Sequence, residues 1–283
     1  MALSTKSGKP IAVVAGGDDD GMKVFLAPAP KTTKTALTAA QKALVAASLK
    51  KDGFDPETSE PARLIERALA GEHCNSIRAP AGGTFSIFPS ATPDRIFVGG
   101  PSGCGKSSVT AQYVREWVDE HPDQKVYLFS THDGEKAYAE LPMIQIELDD
   151  EFLEDPPTLE ELKGSLLVFD DVDQLQNRQL QKAVSAVIAD VLANGRKYDI
   201  WVVSLAHMMC NGHQTRLQIL ESTRIVIFPG GAASYHNERL LRTYCGLSKK
   251  NIAAVLSSPS RWVCISRTAP MYILTEDECY LLQ

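Results

Sequence analysis

The run Gly100-Pro101-Ser102-Gly103-Cys104-Gly105-Lys106-Ser107 has the spacing GxxxxGK[ST]. Glycines at these positions let successive backbone N–H groups curl around phosphate oxygens, and a helix beginning at the lysine adds the positive end of its dipole. In such a loop Lys106 reaches the β- and γ-phosphates and the Ser107 hydroxyl ligates Mg2+, with Ser108 completing the binding set. The apolar stretch 95–99 before the loop and the helix-forming stretch after it are the context a phosphate loop requires. The segment is therefore expected to bind a nucleoside triphosphate, taken as ATP, together with magnesium.

A second constellation is Leu166-Leu-Val-Phe-Asp170-Asp171, an apolar strand ending in two carboxylates. Asp170 is expected to hold the magnesium ion through water, and Asp171 to orient or deprotonate the attacking water. The competing reading is a pair of acidic loop residues after a core strand. A third candidate is Trp201-Val-Val-Ser204-Leu-Ala-His207, a strand ending in polar groups, with Ser204 and His207 placed to sense the γ-phosphate. His132, which follows another strand, carries the same ambiguity between sensor and plain loop residue. If the enzyme works as a ring, a neighbouring subunit must supply an arginine to the transferring phosphoryl group. Arg196, Arg216 and Arg224 are the candidates, with Arg216 preferred.

The signatures of other phosphate-loop classes are missing. There is no [NT]KxD element for reading guanine, no LSGGQ, and no arginine-rich lid of the kind small-molecule kinases carry. An ATPase driving mechanical work is the reading left in front. A helicase-like enzyme, a slowly hydrolysing switch module and a kinase remain alternatives.

Positioning these groups requires strands that end together. Apolar runs at 95–99, 125–130, 144–148, 166–170, 200–205 and 224–228 alternate with helical segments, among them 178–194 with Gly195 placed to end it. Near-continuous apolarity implies strands buried on both faces, hence a mostly parallel sheet flanked by helices, of the RecA-like α/β class. Thr158–Glu161 fits a capping box opening a short helix. Further helices are expected at 235–244 and 249–256, and 262–266 with 271–274 reads as a terminal hairpin. Residues 1–60, rich in Gly, Pro, Lys and Ala, read as a flexible tail with one helix at 38–50. Residues 61–93 read as a lead-in helix (61–70) and strand (84–88), and 94–283 as the ATPase domain.

Of the 283 residues 44% are hydrophobic and 23% charged, ordinary for a globular protein. No apolar run approaches membrane-spanning length, and the N-terminus lacks a secretory layout. The six cysteines form no CxxC pair, which suits free thiols in a reducing compartment such as a cytoplasm. A net charge of −6 gives no global attraction to nucleic acid, so DNA binding would need a local basic surface.

The layout resembles the DNA-packaging ATPases of large DNA viruses, of the poxvirus and iridovirus type, in the FtsK/HerA branch of P-loop motors. The resemblance rests on GGPSGCGKSS, LLVFDD, the WVVSLAH strand with the Gln/Arg segment after it, and RIVIF leading into the terminal strands, over residues 95–283. It implies a homo-oligomeric ring that pumps double-stranded DNA into a capsid, with a capsid protein as a further partner. Lys106, Ser107, Asp170 and Asp171 take the family's catalytic positions. Asp171 departs from the glutamate of the cellular members, and the segment before residue 95 lies outside the resemblance.

Overall fold

A computed structural model of the chain describes residues 1–28, 46–47, 50–51, 75–131, 136–207, 209, 212–230 and 234–282. In chain order the strands are β1 (Ala2–Ser4), β2 (Lys9–Ala15), β3 (Lys23–Ala27), β4 (Ser76–Arg78), β5 (Thr84–Ile87), β6 (Arg95–Gly99), β7 (Val126–Ser130), β8 (Met143–Ile146), β9 (Leu166–Asp170), β10 (Trp201–Ala206), β11 (Arg224–Ile227), β12 (Val263–Ser266), β13 (Tyr272–Thr275) and β14 (Glu278–Leu281). The helices are α1 (Lys106–Glu120), α2 (Asp150–Glu154), α3 (Arg178–Asn194), α4 (Gly212–Glu221), α5 (Ser234–Thr243) and α6 (Lys249–Leu256).

Among the described residues, ten strands form one sheet in the order β4-β14-β13-β12-β11-β6-β10-β9-β7-β8. Pairing is parallel from β11 through β8 and antiparallel from β11 outward to β4. This is the P-loop NTPase architecture with β10 inserted between the phosphate-loop strand β6 and the acidic strand β9. The inner parallel strands β6, β9, β10 and β11 are buried on both faces, which is why they read as unbroken apolar runs, whereas the edge strand β8 is partly exposed. One face packs Ile96, Val98, Val203 and Val168 against Val114 and Trp117 of α1. The other packs Phe169 and Val202 against Val184, Ile188 and Val191 of α3, and Ile225 and Val263 against Leu240, Leu241 and Ile252 of α5 and α6.

Side-chain caps mark the starts of α2, α3 and α6. Asn177 caps α3, its side chain accepting from the N–H groups of Gln179 and Leu180. Gly195 does not supply a left-handed stop: it stays right-handed and the chain continues as a 3-10 turn to Tyr198, with Asp199 taking the positive φ of 52°. A Cβ on Gly195 would stand 3.2 Å from Val191 Cγ1 and 3.4 Å from Ile200 Cβ, so packing accounts for this glycine. The capping bonds of Thr158 and Glu161 form, with Thr158 N–H donating to Glu161 Oε2 at 2.8 Å, yet residues 159–163 are turns and no helix follows.

Residues 2–27, expected as part of a tail, form β1, β2 and β3, which join β5 in a 4-stranded antiparallel sheet ordered β1-β3-β2-β5. The glycines and aspartates read as tail composition build its turn: Gly16 N–H is held by Asp20 Oδ1 at 2.6 Å. Ile11, Val14, Val24 and Leu26 send their side chains into the core shared with α1. Lys23 fastens this sheet to α1, with its ammonium 2.8 Å from Glu120 and 4.2 Å from the centre of the Phe88 ring. The expected lead-in is divided between the sheets, β4 flanking β14 and β5 flanking β2. The helix expected at 61–70 lies outside the described residues, as does most of 38–50, and so does His132.

Below the N-terminal ends of β6 and β11 lies a buried polar knot. Asp94 accepts from Ser90 N–H at 2.9 Å and from Tyr113 Oη at 3.3 Å, and it pairs with Arg224 Nη2 at 3.3 Å. Arg224 also donates to Phe88 O at 2.6 Å. Burial works against the guanidinium charge, but Asp94 together with Tyr272, Cys264 and Tyr113 outweighs it, and the pKa of Arg224 ends above its ordinary value. Removing one partner would strand the other charge without water. Arg224→Met is therefore expected to lower unfolding free energy by about 3–5 kcal/mol in chemical denaturation. An unchanged denaturation midpoint would show that the pair does not hold the two sheets.

Candidate nucleotide site

Parallel register brings the C-terminal ends of the central strands to one edge. Gly99 of β6 stands beside Ala206 of β10 and Ile227 of β11, and Ser130 of β7 stands beside Asp170 of β9. The phosphate loop leaves β6 at that edge and enters α1 at Lys106. Gly103 and Gly105 take φ of 74° and 112°, a region closed to most side chains, and this turns the loop back over the helix N-terminus.

A cavity of about 250 Å³ opens here. The loop and helix line it with Ser102, Gly103, Gly105, Lys106, Ser107 and Ser108. Asp170, Asp171 and His207 line it from β9 and β10, and Arg261 from the segment before β12. Gly100 and Pro101 take part through their carbonyls, which accept from Lys106 Nζ at 3.1 and 3.3 Å. The lysine is buried and its ammonium is held at the loop.

The acidic side is equally constrained. Asp170, buried at the end of β9, accepts from Tyr138 Oη at 2.7 Å. Asp171 follows in a left-handed conformation, φ 56°, which turns its carboxylate toward β10. Its Oδ1 lies 2.5 Å from His207 Nε2, and His207 Nδ1 lies 3.5 Å from Lys106 Nζ. An ammonium can only donate, so Nδ1 is the acceptor and the ring proton on Nε2 is donated to Asp171. Lys106, His207 and Asp171 thus form one hydrogen-bonded chain across the cavity. Asp173 accepts from the His207 N–H at 3.4 Å through Oδ2. Burial pushes the carboxyl pKa of Asp173 up, with the charge of Asp171 adding to the effect.

The sequence candidates separate accordingly. Lys106, Ser107, Ser108, Asp170, Asp171 and His207 converge on one cavity. Ser204 does not: it sits inside β10, beside Phe97 and Phe169 and two residues short of the strand end, buried among apolar neighbours. Arg216 is exposed on α4 and does not line the cavity. Arg196 and Arg224 stand at the opposite, N-terminal edge, before β10 and at the start of β11. Tyr138, Asp173 and Arg261 escape sequence reasoning, since none belongs to a spaced motif; Asp173, two residues past the acidic pair, had the nearest available signal.

The residues present fit a magnesium nucleotide. A hydroxyl at the helix start and a buried carboxylate across from it supply the hard oxygen donors such an ion takes alongside phosphate and water.

No established protein-family model matches the chain. Protein V3 of Sputnik virophage, itself uncharacterized, is 34% identical over 185 residues, covering 64% of this chain and 74% of that protein. The chain belongs to the V3 family. Among solved structures, the DNA-packaging ATPase B204 of Sulfolobus turreted icosahedral virus aligns with 65% of this chain and 98% of its own, at 14% identity and a TM-score of 0.47. The cytoplasmic domain of the type VII secretion ATPase EccC of Thermomonospora curvata aligns with 64% of this chain and 25% of its own, at 12% identity and a TM-score of 0.45. Both likenesses are too remote to bear on activity, and the fold assignment of this V3-family chain rests on its own strand order and loop.

Cys104 offers a chemical probe of the loop. Burial pushes its thiol pKa up, only partly offset by the Lys106 charge. The thiolate fraction at neutral pH is therefore smaller than in a free thiol, and the thiolate is the reactive form. Alkylation of Cys104 by iodoacetamide, followed by peptide mass spectrometry, should be slow at pH 7 and still accelerating above pH 9. A rate that levels off below pH 8 would contradict the burial of this thiol.

Proposed function

We propose that this chain is an ATP-hydrolysing motor that moves double-stranded DNA, in the setting of viral genome packaging. The observation that carries the ATPase part is the Lys106–His207–Asp171 chain, which joins the phosphate loop, the strand between the two motif strands and the acidic pair in one cavity. In this reading the loop N–H groups and Lys106 hold the β- and γ-phosphates. Asp171 accepts a proton from the water that attacks the γ-phosphorus as the bond to the β-phosphate oxygen breaks, giving ADP and phosphate. His207 orients that carboxylate and, through Lys106, registers whether the γ-phosphate is present. Bound Mg2+ would supply charge neutralisation on the phosphate oxygens, held by Ser107 and, through water, by Asp170.

The DNA part rests on the resemblance in motif order to viral packaging ATPases, and kinship with a virophage protein is in keeping with a viral setting. A poxvirus- or iridovirus-type packaging enzyme, a homo-oligomeric ring, an arginine supplied by a neighbouring subunit (Arg216 the candidate) and a capsid partner belong to this same proposal. Among the described residues no helix is long and apolar enough to cross a membrane.

ATP hydrolysis with magnesium, with and without long duplex DNA and alongside the mass in solution, tests the whole proposal. Turnover raised by DNA in a ring-sized assembly is expected. Lys106→Ala should abolish turnover, and Asp171→Asn should lower kcat by about 10²-fold or more, the usual loss for a positioned base. Hydrolysis indifferent to DNA in a monomer would leave a nucleotide-dependent switch, and normal turnover by Lys106→Ala would overturn the site.

A further inference from the structure

Arg261 stands between α6 and β12, 154 residues beyond the phosphate loop's Ser107 and outside every motif that marks the site. Its Nε nevertheless donates to the carbonyl of Cys104 at 3.1 Å. Its guanidinium lies so close over the loop that a Cβ on Gly105 would come within 2.8 Å of Nη2. The glycine at 105 therefore serves two ends, allowing the left-handed turn and leaving room for this arginine. Arg261 also lines the cavity with Lys106 and Ser107.

The arginine is set by its surroundings. Its backbone N–H donates to Glu276 Oε2 at 2.9 Å, and Ser260 Oγ lies 3.2 Å from the same oxygen. Glu276 N–H donates back to Ser260 Oγ at 3.1 Å, closing a small ring of bonds between the turn after β13 and the start of β12. The carbonyl of Glu276 accepts from Phe85 of β5 at 2.7 Å, so the N-terminal sheet buttresses the same turn. Glu276 thus engages the backbone of Arg261 and the Ser260 hydroxyl. A guanidinium carries five N–H donors, of which the Cys104 carbonyl takes one.

We propose that Arg261 is a second phosphate-binding cation of the nucleotide site, supplied by the antiparallel extension of the sheet and aimed at the phosphate chain of a nucleoside di- or triphosphate. This rests on the reading of the cavity as a nucleotide site. A planar guanidinium beside the loop N–H groups matches phosphate oxygens in geometry as well as charge. It acts on binding: Lys106 and Asp171 stand on the cleavage side, whereas Arg261 stands over the Cys104–Gly105 peptide.

The test is titration of wild type, Arg261→Gln and Arg261→Lys with fluorescent ATP and ADP analogues in magnesium, with steady-state hydrolysis and thermal unfolding of the nucleotide-free proteins. Arg261→Gln should weaken both nucleotides by about 10-fold or more, the range of a lost charge-assisted bond, and raise KM with kcat within about twofold. Arg261→Lys, keeping charge without the fork, should recover part of the loss. The nucleotide-free melting temperature should stay near that of wild type, because the side chain is exposed. Unchanged nucleotide affinity in Arg261→Gln while wild type binds would overturn the proposal. So would a lowered melting temperature with unchanged affinity, which would make the arginine a brace for the loop. Failure of wild type itself to bind either analogue would overturn the nucleotide reading, an outcome separate from both.

Discussion

Parallel pairing from β11 through β8 is the constraint on which the site depends, because each strand from β11 to β7 has its register fixed by the neighbour on either side. In such a sheet a slip of one residue would send a whole apolar set to the wrong face. Here both faces are packed, α1 and the small sheet on one side and α3, α5 and α6 on the other. The strand ends are held accordingly, and groups placed just beyond them inherit that precision. Asp170, Asp171 and His207 come from two different strands yet meet Lys106 from a third element.

The side chains that line the cavity are held by one another. Lys106 is held by two loop carbonyls, Asp170 by Tyr138, and Asp171 by His207. Under the proposed reaction, groups aimed in advance would not have to reorganise as charge shifts between phosphate oxygens. The cost is a concentration of carboxylates, Asp170, Asp171 and Asp173, close to one another. Its effect is visible at Asp173, where burial and the Asp171 charge both disfavour the ionised form.

The opposite edge of the sheet carries a different kind of polar chemistry. Asp94, Arg224 and Tyr113 satisfy one another in near-complete burial, between the strand starts and the segment leading from β5. These groups fasten the small antiparallel sheet to the main one. A buried ion pair of this kind is weak evidence for net stability, but breaking it is costly. The two edges thus differ, with cavity-lining charges at one end of the strands and sealed charges at the other.

The phosphate loop, the acidic pair, the boundaries of β6, β9, α3 and α6, and the parallel class of the sheet were legible in the sequence, because each rests on local spacing: glycines where φ is positive, unbroken apolar runs where both faces are buried, a cap residue before a helix. Where the signal was composition alone, the reading missed the strands within residues 2–27. Gly16, Gly17 and Asp20 look like tail residues, yet they turn a hairpin whose Val14 and Val24 find a core only once α1 is in place. Ser204 and His207 were equal candidates three residues apart, and the register of β10 buries one and delivers the other. Arg224 and Arg261 are alike as letters. Tertiary structure seals the first against Asp94 and lays the second over Gly105, since the return of β12 beside β11 is a long-range pairing that no local pattern encodes.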